Sequence, residues 1–143
     1  MIALFPLHPR LVHFPIALLV TGSVLALAYM LRWRRPSLAA ATWILILLGW
    51  ISVFFAVVTG LIDRNSAPQD ADISSLLSIH TALGFALIAV YGLMLYERLR
   101  SPTALDSPEM RWRLIVLALL GLALVVIDGW VGLRVLRVYR FPL

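Results

Sequence analysis

The chain contains no cysteine among its 143 residues. This absence excludes disulfides, thiolate metal sites, cysteine-ligated iron–sulfur clusters and the Cys-x-x-Cys-His attachment of c-type haem. Histidine is then the first side chain to consider for a cofactor site, because imidazole commonly binds metals and haem or moves protons near neutral pH. The sequence has only three, His8, His13 and His80.

Charged residues are also scarce, at 13% of the sequence, whereas 62% of the residues are hydrophobic. The mean hydropathy of +0.98 is far above that of an ordinary soluble domain. A helix needs about 20 apolar residues to cross a hydrocarbon core, and four segments qualify: residues 11–31, 39–62, 79–96 and 114–133. We therefore predict an all-α polytopic membrane protein, a single domain of residues 1–143 with four transmembrane helices in an up-down-up-down bundle.

Lysine is absent, and twelve arginines give the chain its formal charge of +5. This excess would suggest nucleic-acid binding in a soluble protein, but most of the arginines lie between the spans and indicate topology instead. The first and third connections contain Arg32, Arg34, Arg35, Arg98, Arg100, Arg111 and Arg113. By the positive-inside rule these connections are cytoplasmic and both termini lie outside. Arg134, Arg137 and Arg140 oppose this orientation at the C-terminus.

The two halves of the sequence are weakly similar when the first helical hairpin is laid on the second. Val12-His13 matches Ile79-His80, and the pairs Gly49 with Gly60 and Gly121 with Gly132 are each eleven positions apart. Chance similarity between leucine-rich spans is an equal alternative. Parallel repeats would be related by an axis along the membrane normal, and His13 would then face His80 across that axis.

Each predicted span carries one titratable side chain toward the same membrane face: His13, Asp63, His80 and Asp128. Such groups are costly in hydrocarbon, usually face the bundle interior and indicate a functional site. We predict that His13 and His80 are the axial ligands of a b-type haem, or the ligands of a metal ion. Asp63 and Asp128 would support them by fixing the imidazole tautomers.

Simpler interpretations of these residues stay open. The histidines could have a purely structural role, either at the starts of helices or paired with Asp63 or Asp128. Asp128 could instead pair with Arg134. The small residues along the helices could serve packing alone. We expect His8 at the surface, because its five-residue offset from His13 places it on another side of a helix and because Pro9 disfavours a continuous helix.

Several motifs resemble a bacterial membrane family called domain of unknown function 2231. They are the run His8-Pro9-Arg-Leu-Val12-His13-Phe14-Pro15-Ile-Ala-Leu-Leu19, the run Thr59-Gly60-Leu61-x-Asp63, and His80 with Gly84. The resemblance covers nearly the whole chain, but Asp128-Gly129-Trp130-Val-Gly132 departs from the family's Gly-Gly-x-Leu-Val-Tyr run. It implies a four-span protein of the bacterial inner membrane and a frequent association with redox proteins, and it carries no activity.

Two functions follow as hypotheses. The first is a redox-associated subunit whose His/Asp site binds a b-type haem or a metal. The alternative is a non-catalytic accessory subunit of a larger respiratory or photosynthetic membrane complex, with the lipid bilayer and other membrane subunits as partners. Catalysis is not supported, because Ser74, Ser75 and Ser78 near His80 form no recognisable nucleophile motif. A proton relay is disfavoured because the polar groups gather at one face.

Overall fold

The computed structural model describes residues 8–64 and 71–139, and the regular structure in these two ranges is entirely helical. The helices are α1 (His8–Leu11), α2 (His13–Leu31), α3 (Pro36–Arg64), α4 (Ala71–Arg100) and α5 (Pro108–Tyr139). Helices α1 and α2 together form one candidate membrane span of 24 residues, and α3, α4 and α5 provide three more. The predicted all-α architecture with four apolar helices is confirmed.

The helices extend beyond the segments predicted from hydropathy. Helix α3 begins at Pro36 and α5 at Pro108, since proline is tolerated in the first turn of a helix, where its missing N–H costs nothing. Helix α4 begins at Ala71, eight residues before the predicted span. Hydropathy identifies the part of a helix that is apolar enough to lie in the hydrocarbon core of the bilayer. The helix itself continues through flanking polar residues until the sequence no longer favours helix. Arg140 lies outside the described residues.

The long helices form a closed ring in which α2 packs on α3, α3 on α4, α4 on α5 and α5 on α2. The core inside the ring includes Leu19, Ala26, Ile46, Tyr91 and Leu114. Large apolar side chains also cover the outside of the ring, as at Phe55 and Val126, which are 64% and 69% exposed. A soluble monomer rarely exposes apolar surface on this scale, and a bilayer accounts for it.

The two hairpins repeat each other at an offset of 72 residues. Gly49 and Gly121 stand at this offset, as do Leu19 and Tyr91. A Cβ at Gly49 would lie 2.6 Å from Leu19 Cδ2, and a Cβ at Gly121 would lie 2.6 Å from Tyr91 Cζ. Equivalent positions thus make equivalent close contacts, which supports the predicted duplication.

The same offset corrects the alignment of the histidines. Gly60 and Gly132 are 72 residues apart, and so are His8 and His80. The residue equivalent to His80 is therefore His8, and the predicted match of His13 with His80 is wrong by five positions.

Candidate functional site

His8 begins α1, and its half-buried imidazole lies against α3. Its backbone N–H donates to Asp63 Oδ2 at 3.1 Å, and its Nδ1 lies 2.7 Å from the carbonyl oxygen of Ala56. Gly60 gives the ring this access, because a Cβ there would lie 3.1 Å from His8 Nδ1. The predicted surface position of His8 is therefore wrong.

His80 occupies the equivalent place on α4 and contacts α5. Its Nδ1 lies 2.6 Å from Asp128 Oδ1, and the two side chains are only 19% and 17% exposed. Both atoms are inaccessible to solvent, and among the described residues neither has a hydrogen-bond partner, so the contact is a close ion pair rather than a well-aligned hydrogen bond. The alternative pairing of Asp128 with Arg134 is not formed, because the Arg134 guanidinium lies over the Trp130 ring, 4.0 Å from its centroid.

The two imidazoles meet at the centre of the site. Nε2 of His8 and Nε2 of His80 are 3.2 Å apart, and the ring centroids are separated by 5.5 Å with the planes at 77°. Each ring therefore directs Nδ1 toward an oxygen atom and Nε2 toward the other ring. We call the four residues His8, Asp63, His80 and Asp128 the His/Asp cluster.

The Nδ1 acceptors follow the 72-residue repeat. Ala56, whose carbonyl oxygen contacts His8, and Asp128, whose carboxylate contacts His80, are 72 residues apart. Each histidine also has a glycine beside it, and a Cβ at Gly132 would lie 3.3 Å from His80 Cε1. The two histidines, the residues that face their Nδ1 atoms and the neighbouring glycines therefore occupy matching positions of the two hairpins.

His13 lies outside this cluster. It begins α2 and is exposed, together with Ala17 and Thr21 on the same face. The buried face of α2 instead comprises Pro15, Leu19, Gly22, Ser23, Ala26, Tyr29 and Met30. The structure brings together three of the four predicted site residues, Asp63, His80 and Asp128, and places His8 where His13 was predicted.

A sequence signal for His8 was present. His8 precedes Pro15 by seven residues and Gly22 by fourteen, and residues seven apart share a helix face. The helix keeps its phase across Val12, since the Val12 N–H donates to the His8 carbonyl and the Ile16 N–H donates to the Val12 carbonyl. His8 therefore shares the interior face of α2, although the regular helix is interrupted between them.

The contact with Ala56 sets the tautomer of His8. The Ala56 carbonyl can only accept, so His8 Nδ1 carries a proton. In the neutral ring, Nε2 of His8 then has a lone pair that can accept a hydrogen bond or bind a metal ion.

A cavity of about 600 Å³ lies beside the His/Asp cluster and is lined by residues of all five helices. All four cluster residues border it, and His13 lies on its rim. Most of the remaining wall is apolar, with Leu19, Val53, Leu87 and Val125 among its residues. Arg64, which also lines the cavity, donates from Nη2 to Ser78 Oγ at 3.1 Å.

The cluster provides a limited set of metal ligands. Within residues 8–64 and 71–139, no group of three or more histidine, aspartate or glutamate side chains is arranged to hold a metal ion. A metal ion bound by the two Nε2 atoms would therefore need its remaining ligands from other molecules, such as water.

A family model described as "Predicted membrane protein (DUF2231)" matches residues 4–141. The chain belongs to this family. The match spans both hairpins and every residue of the His/Asp cluster, in agreement with the resemblance of the opening run, and the family's description assigns no activity. No curated protein and no solved structure matches the chain.

Proposed function

We propose that this protein is a membrane-embedded cofactor protein in which Nε2 of His8 and Nε2 of His80 bind a metal ion. The observation that carries the proposal is the opposed pair of Nε2 atoms, each on a ring whose Nδ1 faces an oxygen. Metal-binding histidines usually donate their second N–H to a carboxylate or a backbone carbonyl, which fixes the tautomer and the ring orientation. Asp128 and Ala56 supply these two acceptors.

The distance between the nitrogens favours a small ion over haem. With metal–nitrogen bonds of about 2.0–2.1 Å, ligands at a tetrahedral angle lie about 3.3 Å apart and ligands on opposite sides of an iron lie about 4 Å apart. The observed 3.2 Å matches the tetrahedral value. Zinc, copper, nickel and iron all accept imidazole, and copper or iron would give the redox role predicted from the sequence. A b-type haem is the second candidate.

Metal analysis of single variants tests this proposal. Full-length protein purified in mild detergent is loaded with zinc or copper, desalted and measured for metal content and absorbance. We expect about one ion per chain in the wild type and in His13→Ala, and a loss of most of the metal in His8→Ala and in His80→Ala. His13→Ala is the matched control, because it removes an exposed imidazole five residues from His8.

Two results would overturn the metal site. One is a wild-type protein that retains no ion after loading, and the other is a His13→Ala variant that loses as much metal as His8→Ala. A Soret band in the wild type that disappears in His8→Ala and His80→Ala would identify haem as the occupant instead.

The proposal places the protein in a bacterial inner membrane with both termini outside, so that the His/Asp cluster lies near the outer face. The absence of native cysteine makes this orientation measurable with single cysteines. We expect a membrane-impermeant maleimide to label Ser74→Cys, at the exposed start of α4, in intact spheroplasts. Thr103→Cys, in the exposed connection between α4 and α5, should react only after lysis. The reverse pattern would invert the orientation.

Membership of a larger respiratory or photosynthetic complex is a separate prediction, since lipid alone accounts for the exposed apolar faces. Isolation in mild detergent from the native membrane tests it. A stoichiometric partner would support the accessory-subunit hypothesis, and a protein isolated alone would count against it.

A further inference from the structure

The cavity beside the His/Asp cluster has one polar end and a long apolar wall. His8 and Asp63 lie at the ends of their helices, whereas Val53 lies ten residues from Asp63 along α3. At a rise of 1.5 Å per residue, this separation is about 15 Å. A volume of about 600 Å³ lies within the range of small-molecule sites. A molecule that fills the cavity therefore has a polar head and an apolar body.

The charges of the cavity wall select against an anionic head. Asp63 and Asp128 line the polar end. Among the described lining residues these two carboxylates outnumber the one guanidinium, that of Arg64, which keeps its charge and donates a hydrogen bond to Ser78. A phosphate or a fatty-acid carboxylate would meet two acidic side chains there. A neutral head with carbonyl or hydroxyl oxygens avoids this repulsion and can accept from or donate to imidazole nitrogens.

The surface of α5 next to the cluster has room for a flat ring. Gly129 lines the cavity, and a Cβ built on it would meet no heavy atom within 4 Å. Gly132, one turn further along, also lines the cavity beside His80.

We infer that this cavity binds a lipid-soluble quinone or quinol, with a ring oxygen hydrogen-bonded at the His8–His80 end and the tail along the apolar wall. The inference concerns binding alone and does not require the proposed metal ion. A molecule of this class enters from the bilayer, in which the protein itself lies.

Titration of the purified full-length protein with decylubiquinone tests the inference. Quenching of tryptophan fluorescence reports binding, since Trp130 borders the cavity. Gly129→Phe places a ring in the open space, and we expect it to weaken binding at least tenfold. Leu119→Phe is the matched control, because it adds a ring to a 53% exposed position of the same helix outside the cavity, and it should bind as the wild type does.

Three results would overturn the inference. They are quenching that does not saturate in the wild type, equal affinity of Gly129→Phe and the wild type, and displacement of decylubiquinone by oleate at equal concentration. Circular dichroism and gel filtration verify that each variant is folded. Metal content is measured on the same samples, so that the two proposals are tested separately. Saturable decylubiquinone binding by protein that retains no metal after loading would reject the metal site and leave the quinone site supported.

Discussion

Replacing Asp128 with alanine is expected to destabilise the bundle by about 3–5 kcal/mol, the usual effect of removing one partner of a buried ion pair. The substitution removes the carboxylate that lies 2.6 Å from His80 Nδ1, in a site where the pair is more than four-fifths buried. It takes away both the oxygen atom that faces this nitrogen and the negative charge of the carboxylate. Thermal and chemical unfolding of the purified protein in detergent, followed by circular dichroism, measures the loss.

Asp128→Asn separates the two contributions of this carboxylate. The amide oxygen can still accept from His80 Nδ1, but it cannot balance a positive charge. We therefore expect a stability between those of the wild type and Asp128→Ala. Full recovery in Asp128→Asn would show that Asp128 acts only as a hydrogen-bond acceptor. A change of less than about 1 kcal/mol in Asp128→Ala would contradict the ion pair itself, since exposed pairs contribute no more than this.

Gly121→Ala is expected to destabilise the protein by about 3 kcal/mol, at the upper end of the cost of overpacking a core. The new Cβ would lie 2.6 Å from both Cζ and Oη of Tyr91. The Tyr91 ring is fully buried, and its hydroxyl is held 2.9 Å from Ser23 Oγ, so the ring cannot move aside without breaking that hydrogen bond. The same unfolding measurement applies.

Gly129→Ala is the control for this prediction, because it adds the same methyl group to the same helix in open space. It should be neutral or stabilising by up to about 1 kcal/mol, the gain in helix propensity from glycine to alanine. A double-mutant cycle with Tyr91→Leu localises the effect, since Gly121→Ala should cost much less once the ring is gone. Equal destabilisation in both backgrounds would show that the Tyr91 contact is not the cause.

The four helices could be predicted because span length and hydropathy are local properties of the sequence. Which side of each helix faces inward could not be predicted as well, since both sides of a membrane helix are apolar. Along α2 the prediction takes His13 as the inward-facing residue, whereas the structure exposes His13 and buries Leu19 and Gly22. Gly22 is the better guide on this helix, because a Cβ there would lie 2.9 Å from Ile46 Cγ1 of the neighbouring helix.

The structure brings Asp63, His80 and Asp128 together, as expected from the scarcity of titratable groups in apolar segments, and their binding roles stay predictions. The prediction for His8 fails because it treats Pro9 as a helix breaker. Proline in a first turn does not break a helix, and His8 with Pro9 begins α1. The Ala56 carbonyl could not have been found from composition, since any residue type supplies a backbone oxygen.

This last contact makes the two halves of the site differ in their sensitivity to mutation. Duplication of a hairpin gives two histidines in the same setting, but one imidazole is oriented by the main chain at Ala56 and the other by the carboxylate of Asp128. No point mutation at position 56 removes its carbonyl, whereas one base change can alter the acceptor at position 128. A substitution at position 128 can therefore change what faces the His80 ring, whereas the oxygen atom that faces His8 Nδ1 is present whatever residue stands at position 56.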